Sequence, residues 1–148
     1  MDLRLATLSD LPQIVALLVD DDIARTREAD AGDLSPYEAA WAEIAATPGN
    51  WILVACQGDE ILGTLQLTLI AGLARRGSRR AQIEGVRVKS AARGKSVGRE
   101  LMTYAISMAK DHGCSLVQLT TDKRRPDAKR FYESLGFDAT HEGMKILW

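Results

Sequence analysis

The residues best placed to do chemistry lie between Gln82 and His112. The stretch Gln82-Ile83-Glu84-Gly85-Val86-Arg87-Val88 alternates like a strand. It leads through Ser90-Ala91-Ala92 into Arg93-Gly94-Lys95-Ser96-Val97-Gly98-Arg99. Beyond that turn, Val97, Leu101, Ala105 and Met108 mark the buried stripe of a helix that Gly113 ends. A turn that opens a helix leaves backbone N–H groups unpaired, and the helix dipole adds roughly half a positive charge there. Such a place suits an anion, phosphate above all. Gly94 and Gly98 lack a Cβ, so a ligand can come close to the main chain, and Arg93 and Lys95 add formal charge. Upstream, Glu84 offers a carboxylate. A group with an ordinary pKa of about 4.3 needs burial to act as a base near neutrality.

Two blocks carry a resemblance to a known family. Arg93, two residues, Ser96, one residue and Gly98 follow the acyl-CoA signature of Arg or Gln, two residues, Gly, one residue, Gly or Ala, with Ser96 at the first glycine. Later, Ala128-Lys129-Arg130-Phe131-Tyr132-Glu133-Ser134-Leu135-Gly136-Phe137 matches a late helix and its Leu-Gly-Phe ending. In this order the blocks are similar to the GNAT superfamily of N-acetyltransferases. Thr121 to Arg125, followed by Asp127 to Tyr132, resembles its aminoalkylphosphonate N-acetyltransferases. Serine at a glycine position carries a cost only if that residue needs a positive φ.

The resemblance implies an acetyl-CoA-dependent enzyme that moves an acetyl group to a primary amine of a small molecule by direct attack on the thioester. Val86 and Val88 would lend backbone groups to the pantetheine arm, and Arg93, Gly94, Lys95, Ser96, Val97, Gly98 and Arg99 would form the phosphate nest. Arg125 stands where many relatives carry an asparagine that touches the cofactor; a guanidinium there can reach a phosphate instead. Glu84 would activate the amine or anchor it, and both roles stay open. At even spacing it would share a strand face with Val86 and Val88. Tyr132 would be the acid toward the leaving thiolate, a phenol of pKa about 10 against a thiol nearer 8.5–10.

The remaining pattern says what must position these groups. Leu3 and Leu5 suggest a strand; Ser9 and Pro12 open a helix with Leu11, Ile14, Val15, Leu18 and Val19 on one face. Asp20-Asp21-Asp22 reads as a solvated helix end, or as an acidic rim for a cationic amine. Ser35-Pro36-Tyr37-Glu38 starts a second helix whose Tyr37 and Trp41 pack in the core or touch substrate. Trp51–Cys56 and Ile61–Ile70 form a hairpin, with Gln66 and Thr68 opposite Leu65, Leu67 and Leu69. Four arginines between Arg75 and Arg80 read as a solvated loop. Cys114–Thr120, Phe137 and Met144–Trp148 supply further strands. The order fits an α/β (α+β) fold of one domain, 1–148, with a mixed twisted sheet of about six to seven strands and helices on both faces.

Length and composition exclude several classes. A chain of 148 residues is most simply one domain. The net charge of -1 gives no general signature for nucleic acid or an anionic membrane, so neither is an expected partner. Cys56 and Cys114 sit in apolar segments without metal spacing, and no metal is expected. No apolar run approaches the ~20 residues of a membrane span, and a cytoplasmic protein is the default. His112 reads as structural at a helix end, while His141 is a weaker candidate for the acceptor site. The rival reading is a non-catalytic acyl-CoA-binding sensor or partner module, which would dispense with Glu84 and Tyr132. A nucleic-acid-binding role for the arginine loop is the third. By analogy with relatives, the apolar C-terminus ending at Trp148 would pair two copies as a homodimer.

Overall fold

Alternation along one strand decides how the sheet faces. Strand β3 (Glu60–Ile70) buries Leu65 and Leu67 on one side and leaves Gln66 and Thr68 half-buried on the other. The computed structural model describes residues 1–21 and 32–148. They fall into two compact units, Met1–Gln118 and Leu119–Trp148.

The first unit holds a five-stranded sheet in the order β1 (Asp2–Leu5), β2 (Asn50–Gln57), β3, β4 (Arg79–Val88), β5 (Cys114–Gln118). Neighbours from β1 to β4 are antiparallel; β5 joins β4 in parallel. Helix α1 (Leu11–Val19) packs Ile14 and Leu17 against Val54, Cys56 and Ile61 on one face. Helix α3 (Val97–Asp111) covers the other, where a Cβ at Gly63 would meet Val97 and Leu101. Leu53, Leu65, Leu67, Ile83, Leu101 and Met102 are almost wholly withdrawn from water. Burying a side chain of that size contributes roughly 1.5–3 kcal/mol. Helix α2 (Ser35–Ala46) touches β2 and α1.

Three local expectations are corrected. The cap of the first helical segment is not Ser9: the Asp10 carboxylate accepts the Thr7 N–H at 2.8 Å and grips Arg4 with two bonds of 2.7 and 3.0 Å. A carboxylate that serves a cap and an ion pair outcompetes a hydroxyl. Strand β4 begins at Arg79, so the arginine loop shrinks to a turn, Ala74–Gly77, with Arg75 and Arg76 both left-handed at φ 54 and 63. Among the described residues the sheet has five strands rather than six or seven. Among the described residues, neither Phe137 nor Met144–Trp148 is a strand. An extended segment becomes a strand only when a neighbour satisfies its N–H and C=O groups, and Met144, Ile146, Leu147 and Trp148 lie exposed.

The second unit contains α4 (Pro126–Ser134). Pro126 opens the helix, and Gly136, at φ +97, ends it. The chain then turns so that the Phe137 N–H donates to the Tyr132 carbonyl at 3.2 Å. Among the described residues no helix is long and apolar enough to cross a membrane.

Candidate active site

Glycine at position 85 shapes the central strand. Glu84 pairs with Gln66, but Arg87 pairs with Thr64, so β4 spends two residues, Gly85 and Val86, opposite the single Leu65. This is a β-bulge, and Gly85 takes φ +64 to make it. The extra residue shifts the alternation. Glu84 lies on the face of Gln66, whereas Val88 pairs with Gly63 on the face of α3. The expected common face for Glu84, Val86 and Val88 is therefore wrong: simple alternation does not survive an inserted residue.

Beside the bulge the sheet forks. Strand β5 pairs with β4 only from Arg79 to Gln82, and its last partner pair is Gln82 with Gln118. From Ile83 to Val88, β4 has β3 along one edge and, among the described residues, no strand along the other. That edge presents backbone donors and acceptors to whatever enters the fork.

Strand β4 then delivers the chain to the basic turn. A short 3-10 turn, Ser90–Ala92, precedes Arg93, and the main chain curls through Gly94 at φ +78 and Ser96 at φ 66. Ser96 is the N-cap residue of α3, and its carbonyl accepts the Glu100 N–H at 3.0 Å. Its side chain makes no capping bond to the helix. The position thus does need the left-handed conformation that a glycine would adopt without cost. Val97 is buried, so its side chain serves the core and only its main chain belongs to the turn. Arg93, Gly94, Lys95, Ser96 and Arg99 are exposed and Gly98 is half-buried. Curled backbone, a helix N-terminus and cations make an anion cradle. A depression of about 340 Å³ beside it is lined by Lys89 and Lys95 but also by Glu60 and Glu100, which offset that charge.

Glu84 is exposed, so the burial expected of a strong base is absent. It is nonetheless held: Gln82 Nε2 donates to Glu84 Oε2 at 3.0 Å, and Gln118 Nε2 donates to Gln82 Oε1 at 3.0 Å. Gln82 and Gln118 belong to a row that crosses four strands, Asn50 to Thr68 to Gln82 to Gln118. Thr68 Oγ1 and Gln66 Nε2 each donate to Asn50 Oδ1 at 3.0 Å. Sequence reasoning missed this floor. The alternation of Gln66 with Thr68 hinted at a polar face, but only register puts Asn50 and Gln118 in line with it.

The acidic run divides. Asp21 Oδ2 is 3.7 Å from Arg87 Nε, and both side chains are largely buried. Asp20 is exposed at the end of α1, and Asp22 lies outside the described residues. Tyr37 and Trp41 are half-buried along α2. His112 is structural: its ring packs 4.9 Å from Trp51, its Nδ1 lies 2.8 Å from the Met108 carbonyl, and its own carbonyl accepts from Arg79. Cys56 is buried, and burial pushes the Cys114 thiol up. Among the described residues no group of three or more His, Cys, Asp and Glu side chains could hold a metal ion.

Tyr132 and Arg125 belong to the second unit. The Tyr132 ring is half-buried between Phe131 at 5.4 Å and Phe137 at 6.1 Å. Arg125 precedes Pro126 and donates its N–H to the Asp122 carbonyl at 2.9 Å. The fork beside Glu84 and the turn from Arg93 to Arg99 lie in the first unit.

The acetyltransferase (GNAT) family model matches residues 14–137. The chain belongs to the GNAT family. This GNAT acetyltransferase is 25% identical over 140 residues to the aminoalkylphosphonate N-acetyltransferase of Salmonella typhimurium, a match that covers 95% of this chain and 86% of the relative. Among solved structures it superposes on a transcriptional regulator of Bacillus halodurans with a TM-score of 0.95 and 50% identity, covering 99% of each chain. It also superposes on an acetyltransferase of Trypanosoma brucei with a TM-score of 0.81 and 27% identity, again over 99% of each chain. The GNAT protein is thus an N-acetyltransferase by family.

Proposed function

We propose that this enzyme transfers an acetyl group from acetyl-CoA to the primary amine of a small molecule, with both units working as one N-acetyltransferase domain in the cytoplasm. The observation that carries the reading is the fork: the open edge of β4 from Ile83 to Val88 runs directly into the left-handed turn at Gly94 and Ser96. A long ligand with an amide-bearing arm and a phosphate end fits that order of features.

Acetyl-CoA supplies an activated acetyl thioester. The backbone of Val86 and Val88 bonds the arm, and the turn from Arg93 to Arg99 receives the phosphates, with the Arg125 guanidinium as a further phosphate contact. Holding the thioester and amine together is the largest contribution such a site makes. Glu84, exposed and bonded to Gln82, attracts the ammonium and takes its proton directly or through water. The Tyr132 hydroxyl protonates or hydrogen-bonds the leaving thiolate. Aminophosphonates, polyamines, aminoglycosides and amino acids are the acceptor classes to compare, and the aminophosphonate class is favoured by the Salmonella relative.

The test is thermal stability with acetyl-CoA, followed by free-thiol release across those amines. At 100 times its Kd, a ligand stabilises a fold by about 2.7 kcal/mol. A shift together with thiol release on one amine class supports the reading. A shift without release on any amine favours the non-catalytic sensor. The absence of a shift overturns the assignment of acetyl-CoA.

A second reading is favoured by one comparison, the Bacillus halodurans relative described as a transcriptional regulator. The exposed Arg75 and Arg76 would then meet nucleic acid. Retention of DNA that falls steeply between low and physiological salt would support it.

A further inference from the structure

We propose that Gln82 and Gln118 are positioning residues that orient the Glu84 carboxylate through a two-step amide relay. The inference rests on Glu84 acting toward the amine, and it adds the device that sets the carboxylate's direction. Three observations carry it. Gln82 and Gln118 are register partners, and they are the last pair before β4 and β5 separate. Gln118 Nε2 donates to Gln82 Oε1 at 3.0 Å, and Gln82 Nε2 donates to Glu84 Oε2 at 3.0 Å. Gln66, the β3 partner of Glu84, bonds instead toward Asn50.

The relay has a direction. An amide carries its acceptor and its donors on opposite ends. Because Gln118 occupies the oxygen of Gln82, the NH2 end of Gln82 is the one that faces Glu84. That bond holds the direction of the Glu84 carboxylate, which stays exposed. The other charged groups on the same strand are Arg79, which donates to the His112 carbonyl, Arg80, beside Gly72, and Arg87, beside Asp21 at the end of α1. The β3 and β5 partners of the relay, Gln66, Thr68 and Gln118, carry no charge.

The relay predicts a graded effect of two substitutions at one position. In Gln118→Met the Gln82 amide loses its orienting partner but keeps the ability to donate to Glu84. In Gln118→Glu the new carboxylate can only accept, so the Gln82 amide turns round and presents its oxygen to Glu84. Gln82→Met removes the donor altogether.

The experiment follows the Gln82 side-chain amide by 15N NMR in the full-length protein, beside kinetics with acetyl-CoA and the best amine. Gln82→Met and Gln118→Glu are expected to lower turnover of the amine, and Gln118→Met by less; Glu84→Ala is expected to move the Gln82 amide resonances, because it removes their acceptor. In the first two, kcat/KM for the amine falls about tenfold while KM for acetyl-CoA stays within about twofold. Gln82 amide resonances that Glu84→Ala leaves unmoved overturn the relay, provided the variant's melting temperature shows it folded; Gln118→Met, which removes the other partner, serves if it does not. Moved amide resonances together with unchanged amine kinetics in Gln82→Met overturn the positioning role. If wild type releases no thiol with any amine, the acetyltransferase reading falls, and the Gln82 amide resonances alone still decide the relay.

Discussion

Arg87 Nε stands 3.7 Å from Asp21 Oδ2, and the pair ties the end of α1 to β4 immediately after the bulge. Its position changes the meaning of the acidic run, because Asp21 faces an arginine and not a solvated rim. Breaking a buried pair leaves a charge behind in a poorly solvated place. Asp21→Ala is expected to cost about 2 kcal/mol or more. Denaturant unfolding checks this. An exposed rim residue would give a change near zero.

Ser96 holds φ 66 where a glycine would hold it without strain. The left-handed conformation costs a residue with a Cβ about 1 kcal/mol. Ser96→Gly should therefore stabilise the fold by about that amount and raise the melting temperature by about 3 °C. Ser96→Val should lower it. A calorimetric scan of the three proteins decides the point, and a Gly variant no more stable than wild type would show that the turn is not strained.

Asp10 links Arg4 and the Thr7 N–H, and the Arg4 guanidinium holds its carboxyl below the usual carboxylate range. A lowered carboxyl contributes stability that is fully present above its unfolded pKa, about 3.9, and is lost as pH falls through the folded value. Asp10→Ala should cost about 1–2 kcal/mol at pH 7. The gap between mutant and wild type should narrow as the pH drops below about 4. Thermal melts at pH 7 and pH 3 measure both gaps; equal gaps contradict the assignment.

Tyr132 is fixed by its ring contacts with Phe131 and Phe137, so replacing the hydroxyl alone leaves the packing in place. Under the proposed role, Tyr132→Phe should lower kcat at least tenfold, within the range of general acid catalysis, while acetyl-CoA still binds. Equilibrium titration and steady-state kinetics separate the two effects. Unchanged turnover removes the acid from the mechanism.

Much of the fold was legible because it rests on periodicity. The apolar alternation of β3 and the stripe of α3 each depend on nearest neighbours along the chain, and the structure has both. The strand, turn and helix around Arg93 to Gly98 follow from glycine placement and stand where expected. What escaped was register. No local signal announces that Gly85 adds a residue opposite Leu65, or that Asn50 and Gln118, far apart in the chain, complete one row across the sheet. The C-terminal strands failed for a related reason: Met144 to Trp148 has the composition of a strand, but pairing is a property of two segments.

The bulge at Gly85 gives β4 two parities. Above it, even positions such as Gln82 and Glu84 face the polar floor; below it, odd-numbered Arg87 does. A complete substitution scan along this strand should therefore show tolerance that alternates, skips a beat at Gly85, and resumes out of step. Deleting that one glycine would not shorten a loop. It would take away the residue that puts the strand out of step, leaving Val86 alone opposite Leu65, with Arg87 still facing Thr64 and Val88 still facing Gly63, a straight strand without its kink.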